Sequence, residues 1–263
     1  MRIALIGDVH ANLPALEAVL AHAEQQGVEA VWNVGDFVGY GAFPDEVVQR
    51  LRRIGALSIT GNYDLKVLKF RRKREKWRES KHPLKFHAFQ WTYANLTKKS
   101  RKYLRALPQE IRLEIAGKRI LLTHGSPVSN KEPLTPSTPK ARLCELARMA
   151  RADIVICGHS HQAFAREVEG VPFDKACPEQ SRRAHGVWFI NTGSVGRPDD
   201  GDPRTCYAVL DLEPQRLRVQ HYRLTYDVAR AVAAIRARGL PQAFGQMMLQ
   251  GRSLDAVLDI GHG

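Results

Sequence analysis

The sequence predicts an α/β fold whose amino-terminal part is a parallel sheet, and two observations carry this prediction. Short apolar or β-branched segments run into polar, glycine-containing stretches, as in RIALI-GDVHAN, AVWNV-GDFVGYG and LSIT-GNYD. Amphipathic segments of helical period lie between them, such as LPALEAVLAHAEQQG and PDEVVQRLRRIG. Strands that alternate with helices form parallel βαβ units, and functional residues gather at the carboxyl ends of such strands.

Residues 65–108 interrupt this alternation and are predicted to be helical, ending in a pair of helices before Pro108. We interpret the segment as a basic helical cap inserted over one edge of the sheet. Residues 66–85 contain ten Lys or Arg against two Glu, and so hold much of the net charge of +13. Such a run is typical of a solvated helix face or of a rim that attracts phosphate groups.

The second half of the chain is predicted to be rich in antiparallel strands. After a hairpin that turns at Gly117, the alternating segments FAREVEGV, VWFINTGS, CYAVLDLE and LRVQHYRL indicate a second sheet, and the tail from Tyr226 is predicted to be helical. The polar residues 172–186 separate two strands that would otherwise join directly as a hairpin. We interpret them as an inserted surface loop without a catalytic role.

Composition favours a single globular domain over residues 1–263, in the cytoplasm and without a membrane partner. With 44% apolar residues the chain can bury a substantial core. No segment holds about 18 consecutive apolar residues, and the start reaches Asp8 too early for a signal peptide. The four cysteines form no CxxC pair, which argues against a zinc knuckle or a disulfide framework. We expect a monomer or a homodimer.

Seven oxygen or imidazole donors follow the predicted strand ends: Asp8, His10, Asp36, Asn62, His124, His159 and His161. If the sheet is parallel there, all seven side chains point into one crevice, where unpaired imidazoles and carboxylates would be costly to bury. Bound metal would offset that cost. In DVH and HSH one residue separates the two donors, so in an extended chain both would point the same way.

Seven donors are too many for one catalytic ion with an open coordination position, but they suit two ions that share a carboxylate. Nitrogen and oxygen ligands without a thiolate favour divalent transition metals over magnesium or calcium. The expected cofactors are therefore two such ions, manganese first, with iron, zinc, cobalt or nickel as alternatives.

The motifs GDVH, GD, GN, THG and GHSH, in that order, resemble those of the calcineurin-like metallophosphoesterases. VGYG, NTGSVGRP and the tail YDV…IRARGLP are similar to the small prokaryotic phosphodiesterase branch of that family. The resemblance implies a four-layer α/β/β/α sandwich of two mixed sheets flanked by helices. It also implies one ion on Asp8, His10, Asp36 and His161, and a second on Asp36, Asn62, His124 and His159, with Asp36 as the bridge.

The activity implied by the resemblance is hydrolysis of a phosphodiester or phosphoanhydride by a hydroxide that bridges the ions. Most of the wider family has a histidine after the Asn, where it can protonate the leaving group. Here Tyr63 stands in that position, and it either donates a hydrogen bond or only packs. Because a phenol is a poorer acid than an imidazolium near neutral pH, we expect leaving groups that need little protonation.

The expected partner is therefore a phosphorylated small molecule, such as a nucleotide or a dinucleoside polyphosphate. Arg197 joins the candidates because a guanidinium suits bidentate contact with phosphate. The candidate catalytic residues are Asp36, Asn62, Tyr63, Asp64 and Arg197.

Two alternatives stay open at this point. The first is a nuclease acting on DNA or RNA, supported by the net charge and by Trp77, Trp91 and Tyr93 within or near the basic segment. The second is a catalytically silent metal-binding regulatory protein, which kept the ligands and lost turnover together with the histidine.

Overall fold

The computed structural model describes residues 1–169 and 186–260. Its strands are β1 Arg2–Ile6, β2 Ala30–Asn33, β3 Leu57–Ser58, β4 Glu110–Ile115, β5 Lys118–Thr123, β6 Ile154–Cys157, β7 Phe164–Val168, β8 Val187–Asn191, β9 Thr205–Glu213 and β10 Arg216–Leu224. Its helices are α1 Leu13–Gln25, α2 Pro44–Arg53, α3 Asn62–Ser80, α4 Pro83–Asn95, α5 Lys98–Ala106, α6 Lys140–Ala150, α7 Val228–Ala237, α8 Gln242–Gln250 and α9 Leu254–Ile260.

The strands form two mixed five-stranded sheets. The first has the order β10-β9-β1-β2-β3, in which β1, β2 and β3 are parallel and β9 is antiparallel to β1. The second has the order β4-β5-β6-β8-β7, with a parallel centre and an antiparallel strand at each edge. The carboxyl ends of the parallel strands in both sheets supply the loops that carry the predicted donors.

The placement of β9 and β10 corrects the prediction that all four carboxyl-terminal strands share a second sheet. These two strands extend the first sheet, where Leu210 pairs with Ile3 across β9 and β1. Alternating residues show that a strand is exposed on one face, but they do not identify the strand beside it. β8 is also parallel to β6, and only its contact with β7 is antiparallel.

Alternate residues of the strands face different layers. Ile3 of β1 packs between the sheets in a buried cluster that includes Ile120 and Ile154, whereas Ile6 on the opposite face packs against Leu16 of α1. The outer face of the second sheet is covered in the same way, since its residues share a cluster with Leu143 and Leu146 of α6. The predicted four-layer α/β/β/α arrangement is confirmed.

Helices α3, α4 and α5 occupy the segment in which a cap was predicted, and their apolar side chains join the core. Val67, Phe70 and Phe89 belong to the cluster that covers the helical face of the first sheet. The segment leaves and rejoins the fold at one point beside β3, where the backbone N–H of Thr60 donates to the carbonyl of Pro108 at 2.9 Å. Helix α3 begins earlier than predicted, at Asn62, so it carries one of the candidate donors in its first turn.

The predicted loop insertion at residues 172–186 lies outside the described residues except for Gly186. The strands on either side of it pair in antiparallel register, with Val168 opposite Val187. In the described part of the chain, none of the helices has both the length and the hydropathy that a membrane span requires.

Candidate metal centre

All seven predicted donors lie in loops at the carboxyl ends of parallel strands or directly after them. Asp8 and His10 follow β1, Asp36 follows β2, and Asn62 begins α3 after β3. His124 follows β5, and His159 and His161 follow β6. Six of the side chains are buried and His159 is partly exposed. The two sheets therefore bring their loops together at one edge of the sandwich.

The backbone at five of these positions is left-handed. The φ angles are positive at Asp8 (51°), His10 (47°), Asp36 (54°), His159 (67°) and His161 (60°). Such conformations are uncommon outside glycine and cost about 1–3 kcal/mol each, so they persist only where the surrounding structure imposes them. The expectation that DVH and HSH are extended is wrong, since each motif turns at both of its donors.

The two carboxylates are held in matching ways. Asp8 accepts a hydrogen bond through Oδ2 from the backbone N–H of His159 at 2.9 Å, and Asp36 accepts through Oδ1 from that of Tyr63 at 2.7 Å. The other oxygens face imidazoles, with Asp8 Oδ1 at 3.2 Å from His161 Nε2 and Asp36 Oδ2 at 3.4 Å from His124 Nε2. His10 Nε2 lies between them, 3.8 Å from each of these oxygens.

Two glycines permit this close approach of loops and carboxylates. A Cβ atom at Gly61 would lie 2.1 Å from Asp36 Oδ1, and one at Gly158 would lie 2.5 Å from Asp8 Oδ2. The φ of Gly61 is −89°, which any residue can adopt. Glycine is therefore needed at position 61 for space and not for its backbone conformation.

Each of the four histidines is oriented by a backbone carbonyl. The bonded pairs are His10 Nδ1 with Val38 O (3.3 Å), His124 Nδ1 with Val34 O (2.8 Å), His161 Nδ1 with Arg197 O (2.5 Å) and His159 Nε2 with Lys131 O (3.0 Å). A carbonyl only accepts, so the bonded nitrogen carries the hydrogen. In the neutral ring the other nitrogen then keeps its lone pair, which is the state that a metal requires.

The charges of the site act strongly on one another. Burial works to raise the pKa of Asp8, but the adjacent imidazole of His161 lowers it to about 2. Burial, followed by the charge of Arg197, holds the pKa of His10 well below its usual range. Burial would also lower the pKa of His124, yet the adjacent Asp36 raises it to about 9. A cation that binds His124 therefore has to displace a proton.

Three donor atoms of the candidate site are buried without hydrogen-bond partners among the described residues, as expected of metal ligands. Asp8 Oδ1, Asn62 Oδ1 and His124 Nε2 are buried and have no hydrogen-bond partner within the described part of the structure. Leaving such an atom unsatisfied costs about 1–3 kcal/mol, and a cation satisfies carboxylate, amide and imidazole lone pairs together. Two groups have ligand atoms within 4.8 Å of one another, namely Asp8, His10 and His161, and Asp8, Asp36 and His124.

The carboxylate common to both groups is that of Asp8, whereas the resemblance implies Asp36 as the bridge. The bridging role of Asp36 therefore stays a prediction. On the side of His124, the ring of His159 lies with its centroid 5.1 Å from that of His124.

The remaining candidate residues surround the donors. The Tyr63 ring stands perpendicular to that of His10 at 5.2 Å, and its hydroxyl is 2.7 Å from the hydroxyl of Tyr40. Both carboxylate oxygens of Asp64 accept hydrogen bonds from backbone amides, at Gly61 (2.9 Å) and Val38 (3.3 Å). These contacts join the loop after β2 to the start of α3, so Asp64 positions the loops that carry Asp36 and Asn62.

Sequence reasoning missed three residues of this region. Asn191 donates through Nδ2 to Gly158 O at 2.8 Å and to Ser160 Oγ at 3.0 Å, and so holds the GHSH loop from the neighbouring strand. It ends β8, so the strand-end pattern applied to VWFIN would have found it. Tyr40 lies in the motif VGYG, in the same loop after β2 as Asp36. Lys66 begins the basic run 66–85, but its position one turn after Asn62 along α3 was not recognised, because the helix was predicted to begin at residue 65.

Comparisons with known proteins agree with this architecture. Residues 1–215 match the calcineurin-like phosphoesterase superfamily domain. An uncharacterized protein from Methanocaldococcus jannaschii is 30% identical over 261 residues, covering 95% of this chain and 98% of that protein.

Two solved structures cover nearly the whole chain. A metallophosphoesterase from Sphaerobacter thermophilus is 30% identical with a TM-score of 0.75, over 95% of this chain and 99% of its own. A hypothetical protein from Pyrococcus horikoshii OT3 has the same fold, with a TM-score of 0.80 at 19% identity, over 96% of this chain and 99% of its own. The chain therefore belongs to the calcineurin-like phosphoesterase superfamily.

Proposed function

We propose that this protein is a hydrolase that uses two divalent transition-metal ions to cleave a phosphoanhydride or phosphodiester, with a nucleotide or dinucleoside polyphosphate as substrate. The observation that carries the proposal is the set of buried, unpartnered donor atoms on Asp8, Asn62 and His124, gathered among oriented imidazoles. Membership of the superfamily supports the coarser conclusion of a metal-dependent hydrolase that acts on phosphate esters.

The two ions would divide the donors between them. Support for the first site, Asp8, His10, Asp36 and His161, is that His10 Nε2 and His161 Nε2 lie 3.3 Å apart with Asp8 Oδ1 beside them. Support for the second, Asp36, Asn62, His124 and His159, is the contact between His124 and Asp36 and the unpartnered oxygen of Asn62. Because all these ligands are nitrogen or oxygen, they suit manganese, iron, zinc, cobalt or nickel, and we take manganese as the first metal to test.

When bound, such ions would polarise the phosphoryl oxygens and lower the pKa of a coordinated water. The contribution of the chain is preorganisation, because carboxylates and imidazoles are fixed before substrate arrives. Asn62 adds an oxygen donor without a further negative charge, which limits the charge density of the centre. Asp64 holds the two loops in register through backbone contacts alone.

The region next to His10 favours a leaving group that departs as an anion. The Tyr63 hydroxyl is paired with that of Tyr40, and burial raises the pKa of Tyr40 far above its usual value. Tyr40 is therefore no source of protons near neutral pH. A departing phosphate or nucleotide carries its negative charge without protonation, whereas an alkoxide does not. This difference supports phosphoanhydrides over alkyl phosphodiesters.

The aromatic residues that supported the nuclease alternative are half-buried and pack against the core. Trp77 lies 5.4 Å from Phe89 between ring centroids, Tyr93 lies 5.9 Å from Phe70, and Trp91 joins the cluster around Phe244. A platform that stacks successive bases needs exposed rings. The charge of α3 is then the remaining support for nucleic acid, so we place phosphorylated small molecules first.

The test is a panel of metals against substrates on purified, chelator-treated protein. Manganese, iron, zinc, cobalt and nickel are each added back, and hydrolysis of bis(p-nitrophenyl) phosphate, diadenosine tetraphosphate, 3′,5′-cyclic AMP and a single-stranded oligonucleotide is measured. We expect turnover with manganese and the highest kcat/KM on the tetraphosphate, with Asp36→Asn as the inactive control.

If no substrate were hydrolysed with any of the metals, the proposal would be overturned and the regulatory alternative favoured. Faster turnover of cyclic AMP than of the tetraphosphate would remove the preference for anhydrides. Cleavage of the oligonucleotide would favour a nuclease if the affinity of the protein for the oligonucleotide also fell steeply with salt.

A further inference from the structure

Two cationic side chains lie against the ring of Tyr63, at the side of the candidate metal centre. Lys66 Nζ is 4.4 Å from the centroid of that ring, and Arg197 Cζ is 5.9 Å from it and 5.0 Å from the centroid of Tyr40. The backbone amide of Tyr63 also donates to Asp36 Oδ1. Tyr63 therefore contacts both cations through its ring and Asp36, a candidate ligand of the ions, through its backbone.

Neither cation forms an ion pair with a carboxylate among the described residues, although Asp36 lies close enough to act on the charge of Lys66, and Asp199 and Asp8 on that of Arg197. Among the residues that the structure describes, no Asp or Glu oxygen lies within 4.0 Å of Lys66 or Arg197. The Nε atom of Arg197 is buried without a hydrogen-bond partner in the same part of the chain. A buried guanidinium N–H without an acceptor is costly and indicates that an acceptor is supplied from outside.

Further positive charge surrounds Lys66. Burial lowers the pKa of its ammonium group, Asp36 opposes that shift, and the smaller effects of Lys81, Lys131 and Arg197 lower the pKa further. Lys66 and Lys81 both lie over Phe89, at 6.0 Å and 5.9 Å from its ring centroid. Like charges held together in a partly buried place create a positive potential that attracts a multiply charged anion.

We propose that Lys66 and Arg197 form a subsite for a second phosphoryl group of the substrate, adjoining the one that is cleaved. This inference rests on the proposed function and narrows its substrate class to molecules with two or more linked phosphates. The guanidinium offers paired N–H donors, and the ammonium offers a point charge with three donors.

The subsite also gives a reason for a tyrosine where a proton donor is expected. In hydrolysis of the anhydride, a water oxygen forms the new bond to phosphorus, and the bridging P–O bond breaks with its electron pair on the departing phosphate. The proton lost by water passes to solvent. Because the departing group leaves as an anion, Lys66 and Arg197 stabilise its growing charge without transferring a proton.

The experiment compares one substrate that fills the subsite with one that does not. For Lys66→Gln we expect kcat/KM on diadenosine tetraphosphate to fall by about tenfold or more, because a charge-assisted contact is lost. We expect kcat/KM on bis(p-nitrophenyl) phosphate to change by less than about threefold. Arg197→Gln should lower kcat/KM on diadenosine tetraphosphate by more than it lowers kcat/KM on bis(p-nitrophenyl) phosphate. Lys66→Arg should restore most of the activity that Lys66→Gln loses. Lys69→Gln removes an exposed charge from the same helix and should change neither substrate.

Binding supplies a readout that does not depend on turnover. Calorimetry measures the binding of methylenediphosphonate and of phosphate to each variant. Relative to the wild type, Lys66→Gln should bind methylenediphosphonate about tenfold more weakly and should bind phosphate with unchanged affinity. Equal losses on both substrates, or unchanged diphosphonate affinity, would overturn the subsite while leaving the hydrolase intact. A wild-type protein that hydrolyses neither substrate would instead overturn the proposed function.

Discussion

Asp8 and Asp36 are restrained by amides that belong to neighbouring loops and not to their own. Asp8 Oδ2 accepts from His159 after β6, and Asp36 Oδ1 accepts from Tyr63 at the start of α3. Each carboxylate thus links two loops and keeps one oxygen turned to the imidazoles. These hydrogen bonds connect four loops that come from both sheets. The positions of the donors therefore depend on all four loops at this edge of the sandwich.

Asp36→Asn should abolish stabilisation by metal. An asparagine can still accept from the Tyr63 amide through its oxygen, but it then turns an NH₂ group, which has no lone pair to donate, towards His124. Manganese at 100 times its Kd should stabilise the wild-type protein by about 2.7 kcal/mol, seen as a rise in Tm. We expect little or no rise in the variant, and an equal rise in both proteins would contradict the role of Asp36.

Gly61→Ala should distort the candidate metal centre through a steric clash. Its Cβ would lie 2.1 Å from Asp36 Oδ1 and 2.3 Å from the Asp36 backbone nitrogen, so the loop has to move. We expect a loss of about 1–3 kcal/mol in the free energy of unfolding, together with at least about tenfold weaker manganese binding.

Gly27→Ala is the matched control for that substitution. Gly27 has a φ of +67°, and a Cβ atom there would meet no atom within 4 Å. Alanine at this position therefore costs only backbone strain, about 1–2 kcal/mol. Its manganese affinity should be unchanged. If both variants bound manganese as tightly as the wild type, the approach of Gly61 to Asp36 would not matter for the site.

The positions of the donors were predictable because they depend on a local pattern. A strand is recognised by its apolar residues, its carboxyl end by the glycine and polar residues that follow, and parallel strands bring those ends to one edge. Asp36 and His124 were found in this way, although they come from different sheets. The rule needs no knowledge of which strands are neighbours within a sheet.

The pairing of β9 with β1 and the left-handed backbone were not predictable from the same pattern. Pairing joins Ile3 to Leu210, and nothing local to either segment encodes that contact. The positive φ of His10 accompanies a tertiary hydrogen bond, in which its backbone N–H donates to Asp36 O at 2.9 Å. Long-range contacts of this kind override the extended preference that spacing alone indicates.

Asn191→Ala should loosen the GHSH loop. The side chain is fully buried, donates to Gly158 O, and accepts from the Gly193 amide at 3.0 Å. Its loss leaves the Gly193 amide without this acceptor, whereas Gly158 O keeps the bond from the Ser160 amide at 2.8 Å. We expect a loss of about 2–4 kcal/mol in the free energy of unfolding and weaker metal binding through His159 and His161. Denaturant unfolding and calorimetric titration with manganese measure the two effects.

Asn95→Ala is the control for this variant, since Asn95 is exposed and caps its own helix by donating to Trp91 O at 2.9 Å. It should cost less than about 1 kcal/mol and leave the metal affinity unchanged. A site that bound manganese normally in Asn191→Ala would show that the GHSH loop keeps its shape without this side chain.

Substitutions of Tyr63 separate packing from proton donation. Tyr63→Phe keeps the ring against His10 and loses the hydrogen bond to Tyr40, so it should cost about 1 kcal/mol of stability. If the leaving group needs no proton, kcat on diadenosine tetraphosphate should stay within about threefold of the wild type, whereas general acid catalysis contributes about 10²–10⁴-fold. A loss in the latter range would show that the phenol donates.

Tyr63→His tests the same idea from the opposite side. An imidazole titrates near neutral pH and can protonate an alkoxide, so the variant should gain activity on 3′,5′-cyclic AMP relative to the tetraphosphate by about tenfold or more. The ratio of the two kcat/KM values is the measurement, because it cancels differences in the fraction of active protein. An unchanged ratio would mean that proton donation at this position does not set the choice of substrate.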